Sequence, residues 1–404
     1  MTISPLAPTA FPDLPAIQGV MMAVSATAMK YQGRDDLLLM HFDDATSLAG
    51  VFTKSATASA PVLQSRKVAN AGKVRAILVN AGNANAFTGA SGEASVMACV
   101  SALADRFSLP AEQIATASTG VIGEPLNAEM ITTHFDNLKA NLGQANWYQA
   151  ANAIRTTDTF AKGAGTIITI GDKEISLSGI AKGSGMIAPD MATMLGFIAT
   201  DAGIAADILA EMLQRCTTRS FNAITVDSDT STSDSVYLAA TGKAAMLTKP
   251  NELFQFEQAL GALMQDLAVQ IVRDGEGATK LITIDVTGAV SDASAHKIGL
   301  AIGNSPLVKT AIAGEDANWG RIIMAVGKAG EPADRDKLAI SIGSVPITEN
   351  GERRADYDET PVAAYMKGDN IHIGVDIGLG NGKARIWSCD LTHGYITINA
   401  DYRS

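Results

Sequence analysis

Residues 166–200 read TIITIGDKEISLSGIAKGSGMIAPDMATMLGFIAT. Apolar and polar residues alternate over 166–170 and again over 173–178, and Gly171-Asp172 between them is a two-residue turn pair, so the segment predicts a β-hairpin. The stretch from Lys182 to Leu195 is neither strand-like nor helix-like, and GFIAT after it reads as a core strand. A hairpin rules out a purely parallel sheet.

Working outward, VRAILV at 74–79 reads as a buried strand running into the glycine-rich loop NAGNANAFTGASG, and 91–107 carries apolar residues at helical spacing with Pro110 as a stop. Helices are expected at 205–219 and at 252–273, the latter closing near Gly275. Strands are expected at 281–286, 338–342, 371–377, 384–389 and 395–399, with a hairpin turn at Gly380-Asn381. Strands and helices interleave, giving an α/β (α+β) class with mixed sheets and layered helices. No linker and no repeat divides the chain.

Composition narrows the function. The 404 residues carry 31 basic and 42 acidic side chains, a net charge of −11, with 5% aromatics, which argues against nucleic acid. Three separated cysteines exclude a disulfide scaffold and offer no CxxC metal site. The first basic residue after Met1 is Lys30, prolines interrupt the first fifteen residues, and charges break every apolar run, so neither a targeting segment nor a membrane span is expected. A reducing, cytoplasmic setting follows.

Several motifs fall short. GSGMIA at 183–188 fits G-x-G-x-x-A, but Pro189 resists the helix a dinucleotide loop should open. GLGNGKA at 378–384 fails the Walker pattern at Ile377 and Ala384. DSDTSTSD at 227–234 lacks the glycine and glutamate of a calcium loop, having Thr232 and Leu238 there, and reads as a polar loop bonding its own backbone. No metal is indicated, and no G-x-S-x-G marks a hydrolase. Thr193 is a candidate nucleophile that needs no histidine. Cleavage of the Ala192–Thr193 bond would give it a free α-amine able to take its own hydroxyl proton. On the residues alone, packing is by far the commoner role for such a threonine, Lys182 and Glu276 read as solvated charges, and Thr119-Gly120 reads as an ordinary strand-to-loop turn.

Seven blocks in order decide among these readings: VFTKSATASAPV (51–62), LVNAGNANAFTG (78–89), ASTGVIGEPL (117–126), KGSGMIAPDMATMLGFIATDA (182–202), ITVDSDTSTSD (224–234), DANWGRI (316–322) and INADYRS (398–404). Together they closely resemble the ornithine acetyltransferases, the self-cleaving glutamate N-acetyltransferases of arginine biosynthesis. The resemblance implies an αββα-like sandwich of the N-terminal-nucleophile type. It also implies a precursor cut between Ala192 and Thr193 into chains 1–192 and 193–404, assembled as a heterotetramer of two of each. Thr193 would take the acetyl group from N2-acetyl-L-ornithine and pass it to L-glutamate. Thr119 and Gly120 would form the oxyanion hole, and Thr156, Lys182, Thr193, Glu276, Asn399 and Ser404 would bind substrate. Lys182 and Thr156 suit an α-carboxylate, and Glu276 suits ornithine's side-chain ammonium. No cofactor is implied, and acetyl-CoA would be a co-substrate in the bifunctional variant. That variant is the expectation. A monofunctional ornithine acetyltransferase is an alternative that the motifs do not separate, and a related self-cleaving amidase or aminopeptidase is another, from which the Glu276, Asn399 and Ser404 set discriminates because it suits an amino-acid acceptor. The chain departs from the family pattern at Phe87, Asp190 and Ser404, and none of these removes a required functional group.

Overall fold

The structure, a computed structural model, describes residues 2–188 and 194–400. Among these residues the strands form three sheets, each mixing parallel and antiparallel neighbours. A four-stranded sheet has Leu37–Phe42 and Ala76–Asn83 at its centre, with Val20–Ser25 and Ile114–Val121 at its edges. A five-stranded sheet contains the predicted hairpin, Lys162–Ile170 with Lys173–Lys182, followed by Leu195–Gly203, Ser235–Met246 and Ser47–Phe52. Gly171 takes φ +68° at the first turn position and lets Ile170 face Lys173 directly.

The layering follows from alternation, because successive residues of a strand point to opposite faces. Leu38, Met40, Ile77 and Val79 pack against Ile180, Phe197, Ala199 and Tyr237, which places these two sheets face to face. Their neighbours Leu37, Leu39, Ala76 and Leu78 point the other way, onto Val96, Val100 and Leu103 of helix Gly89–Phe107. On the far face of the five-stranded sheet, Leu177, Ile198, Val236 and Leu238 meet helices Ala206–Thr218 and Pro250–Arg273. The order is helix, sheet, sheet, helix, as the resemblance implied. Tyr237 crosses the middle: its ring stacks on Phe197 at 5.5 Å between centroids, and its buried hydroxyl donates to Thr116 O of the opposite sheet at 2.9 Å.

Helix Pro250–Arg273 buries Phe256, Leu260, Leu263, Met264, Leu267 and Ile271, a stripe at i, i+4 and i+7. The third sheet, six-stranded around Leu281–Ala289, joins the same core through Ile282, Ile284, Val286 and Ile373, with helices Asp292–Gly303, Pro306–Ala313 and Trp319–Gly327 covering it.

Two expectations are corrected. Residues 395–399 are not a strand but part of helix His393–Ala400, in which Asn399 Nδ2 donates to Tyr395 O at 3.1 Å. Their apolar alternation implies a half-buried sheet face, yet none of the helix's residues is buried and Ile396 is 66% exposed. Gly380-Asn381 is not a hairpin turn either. The strands on either side, Asn370–Asp376 and Gly382–Cys389, each pair with the intervening Leu281–Ala289 rather than with each other, and the loop crosses over that strand with Gly380 N donating to Gly288 O.

The strand expected at 74–79 runs to Asn83, because it pairs in parallel with Ile114–Val121 as far as Val121. The register shifts at Gly82, where Gly82 and Gly120 adopt φ +112° and +132°. A Cβ on Gly120 would lie 2.3 Å from Gly82 C, so only glycine fits. Gly120→Ala is therefore expected to destabilise the fold by about 2 kcal/mol or more, read as a lower midpoint in thermal or urea unfolding.

Candidate active site

The ends of strands from both facing sheets converge on one edge of the sandwich. Thr119 and Gly120 end one strand, Lys182 ends another, and Met194 leads into a third. Between them lies a cavity of ≈ 130 Å³ whose lining includes Thr119, Gly120, Thr156, Lys182, Glu276 and Asn399. Six of the residues named from the resemblance, drawn from five separate sequence segments, thus line one cavity. Thr193, with Ala192 before it, and Ser404 lie outside the described residues.

A buried ion triad sets this geometry. Lys162 Nζ lies 2.7 Å from Asp158 Oδ1 and 2.6 Å from Asp274 Oδ2, and all three side chains are wholly buried. Asp158 also accepts the Thr156 N–H at 3.0 Å and the Gly183 N–H at 2.7 Å, which fixes one cavity residue and the loop after Lys182. Burial opposes ionisation of Asp158, but the charges of Lys162 and Lys182 outweigh it and hold the carboxyl below the ordinary range. Asp274, just past the long helix, extends the chain of contacts. Its backbone carbonyl accepts the Ser184 hydroxyl at 2.6 Å, and Ser184 O accepts the Glu276 N–H at 3.1 Å.

Lys182 and Glu276 are buried rather than the solvated charges their composition alone suggests, at 4% and 8% exposure. Lys182 Nζ donates to Thr156 Oγ1 at 3.3 Å. Burial pulls its pKa below the ordinary lysine value, while Asp158, Asp234 and Glu276 pull it back up. Such an ammonium is short of partners and suited to an incoming anion. Glu276 accepts from Asn399 Nδ2 at 2.8 Å, so the terminal helix orients the carboxylate. The glycine at 185 makes room for it, since a Cβ there would lie 2.4 Å from Glu276 Oε2. Thr119 is buried at 5% exposure, with its residue on the cavity wall.

Sequence reasoning missed one wall. Ser231, Thr232 and Ser233 line the cavity, although their loop was considered only for metal binding or local turns. Turn bonding is real there: Asp227 accepts the N–H groups of Met186 at 2.5 Å and Ile187 at 2.9 Å, and Ser231 Oγ accepts from Ser233 N at 3.1 Å. The same loop's last residue, Asp234, accepts the Met194 N–H at 2.8 Å. The signal available was ITVDSDTSTSD itself, one of the seven matching blocks.

Hydroxyl and backbone donors beside a buried cation and a buried carboxylate suit acyl transfer between amines. The class is an acyltransferase. An arginine biosynthesis bifunctional protein ArgJ of Mesorhizobium japonicum is 54% identical over 414 residues, spanning 100% of this chain and 99% of that one. The protein of the same name from Ruegeria pomeroyi is 55% identical over 404 residues, spanning 100% and 98%. The crystal structure of that bifunctional protein from Bacillus halodurans matches at 43% identity with a TM-score of 0.48, over 50% of this chain and 95% of its own. The ArgJ family model matches residues 21–404, and the chain belongs to the ArgJ family. It is a bifunctional acyltransferase of arginine biosynthesis. No helix among the described residues is long and apolar enough to cross a membrane.

Lys162→Met would leave two carboxylates buried without their cation, which typically costs about 3–5 kcal/mol. The expected result is a midpoint drop of several degrees in thermal unfolding, with loss of acetyl transfer at temperatures where the chain still folds.

Proposed function

We propose that the protein transfers the acetyl group of N2-acetyl-L-ornithine to L-glutamate through an acetyl-Thr193 intermediate, and also acetylates glutamate from acetyl-CoA. The observation that carries this reading is the single cavity that gathers Thr119, Gly120, Thr156, Lys182, Glu276 and Asn399. The precursor first cuts itself: the Thr193 hydroxyl attacks the Ala192 carbonyl, an N→O shift gives an ester, and water releases chains 1–192 and 193–404. These remain together, assembled as a cytoplasmic heterotetramer.

The new α-amine of Thr193 then accepts the hydroxyl proton as Oγ bonds the acetyl carbon. The Thr119 hydroxyl and Gly120 N–H stabilise the oxyanion. Collapse breaks the amide C–N bond, the proton passes to the leaving nitrogen, and ornithine departs. The amine of glutamate attacks the acetyl ester by the same steps in reverse. Lys182 and Thr156 hold the α-carboxylate common to both amino acids, and Glu276, oriented by Asn399, holds the side-chain ammonium of ornithine. Ser404 completes the substrate-binding set. Thr193 and Ser404 enter this scheme through the sequence match alone. The acceptor-binding set distinguishes this reading from a self-cleaving amidase, in which water would take the acetyl group.

Incubating the purified protein with acetylornithine and glutamate, without acetyl-CoA, should yield acetylglutamate and ornithine by mass analysis. Thr193→Ala should run as one uncut band near 42 kDa and give no product. A cut Thr193→Ala chain, or an absolute need for acetyl-CoA, would overturn the scheme. Glu276→Gln should raise KM for acetylornithine by ten-fold or more and change KM for glutamate far less; equal changes would remove Glu276 from ornithine recognition.

A further inference from the structure

Two arginines stand beside the cavity without lining it, and the proposed scheme uses neither. Arg155 directly precedes Thr156, and Arg34 lies on the loop that leads into strand Leu37–Phe42. The Arg34 guanidinium donates to Arg155 O across 121 residues of sequence, and it lies over the Tyr31 ring, 3.9 Å from the centroid. The loop is fastened next to Gly120. Asp36 O accepts the Ala81 N–H at 2.8 Å, and a Cβ on Gly82, the glycine that meets Gly120, would lie 3.0 Å from Lys30 Cβ. The carboxyls whose charges act on Arg34 are Asp158 and Asp36, and both are spent elsewhere. Asp36 accepts the Thr27 N–H at 2.6 Å and the Thr27 hydroxyl at 3.0 Å, while Asp158 holds Lys162 and the N–H groups of Thr156 and Gly183. Asp35 is next in sequence, yet no ion pair joins it or any other carboxylate to either guanidinium among the described residues. The Nε atoms of both arginines are buried and without hydrogen-bond partners there. Burial pulls the Arg34 guanidinium below its ordinary value and Arg155 adds to that, against Tyr31, Asp158 and Asp36. Both residues remain partly exposed, so an anion can reach them.

We propose that Arg34 and Arg155 form a binding site for the phosphates of acetyl-CoA, beside the cavity that receives its acetyl group. This rests on the reading, given above, that acetyl-CoA is a second acetyl donor to the same cavity. Two like charges held together with no carboxylate between them favour an anion that neutralises both. A guanidinium fork matches phosphate oxygens two at a time, and stacking on Tyr31 sets the plane of one fork in advance. The size of the cavity puts the nucleotide outside it. Pockets that enclose drug-sized ligands hold roughly 300–1,000 Å³, whereas this cavity of ≈ 130 Å³ has room for the thioester end alone. The amino-acid substrates carry no phosphate and fit within the cavity, where neither arginine reaches the lining. A second cavity of ≈ 230 Å³, walled by Thr57, Leu63, Phe87 and Glu93 among others, has no cation in its lining and one carboxylate, so it is unsuited to phosphate.

The test compares donors. Arg155→Gln and Arg34→Gln, made in the full chain and folded by circular dichroism, should each raise KM for acetyl-CoA ten-fold or more. The same variants should transfer acetyl from acetylornithine to glutamate, a reaction without phosphate, with kcat and both KM values within about two-fold of wild type. S-acetylpantetheine lacks the nucleotide and its phosphates. The wild type should use it with a KM at least ten-fold above that for acetyl-CoA, and each variant should narrow that gap. An unchanged KM for acetyl-CoA in a folded variant would overturn the inference, as would an equal loss with acetylornithine or a wild type indifferent to the nucleotide. Should Arg34→Gln fail to fold for want of its bond to Arg155 O, Arg155→Gln keeps that backbone acceptor and decides alone. A wild type that makes acetylglutamate from acetylornithine and never from acetyl-CoA would defeat the co-substrate reading itself, whereas one that uses both donors while its arginine variants lose nothing would defeat the phosphate site alone.

Discussion

Lys162 has no contact with water, yet the Thr156, Lys182 and Glu276 side of the candidate site is hung from it. Its ammonium holds Asp158 and Asp274 together, and those carboxylates belong to segments more than a hundred residues apart. Through Asp158 it fixes Thr156 and the Gly183 turn, and through Asp274 it fixes Ser184 and, one bond further, Glu276. Burying three charged groups is costly, and an apolar trio of equal volume would often be as stable. What the ionic version adds is direction. Each carboxylate has oxygens left over for backbone N–H groups, so the loops carrying cavity-lining residues are aimed as well as packed. The terminal helix joins the same network, with Thr392 donating to Gly277 O at 2.6 Å and Asn399 holding Glu276.

How much of this could be read in the sequence depended on the range of the interaction. The hairpin at 162–182 was legible because alternation and the Gly171-Asp172 turn are local, and the long helix because its apolar stripe repeats from Phe256 to Ile271. The strand at 395–399 was misread because period two in a short apolar run presupposes a buried face, and there was none. The turn at Gly380-Asn381 was misread for the opposite reason: a strand from a hundred residues earlier inserts between its flanks, and nothing local reports that. At the site, residues alone made Lys182 and Glu276 solvated charges. Their burial comes from Asp158, Asp274 and Gly185, partners no periodicity reveals. Only the order of the seven blocks brought them together beforehand, and even that passed over Ser231 to Ser233 and Asp234.

The electrostatics of the cavity fit the proposed ping-pong order. Donor and acceptor must occupy one cavity in turn, so recognition has to lean on what the two amino acids share, the α-carboxylate, and tolerate what differs. A lysine with a depressed pKa is suited to the shared part. It is charged but under-solvated, and an incoming carboxylate replaces hydration it has already lost, which raises the gain per contact above that of an exposed lysine. In that scheme Glu276 would serve the other requirement. A second carboxylate arriving on glutamate's side chain would be repelled by it, whereas the ammonium of ornithine would be drawn in. The fixed charge would then favour the donor at the step that loads the acetyl group, and disfavour the product amino acid's side chain from settling in the same orientation once the group has been passed on.

A catalyst built on the start of a chain must solve a problem that a serine–histidine pair does not meet: its base is absent while the protein folds. In the proposed scheme residue 193 is first part of a neutral peptide and then a group that alternates between amine and ammonium. Asp234 is buried, and that burial pushes its carboxyl well above the ordinary carboxylate range. It closes the polar loop 227–234, whose first carboxylate ties down Met186 and Ile187 ahead of the proposed cut while its last holds Met194 beyond it. One loop thus holds residues on both sides of the proposed cut, so in that scheme the two chains need not part when the bond between them is lost.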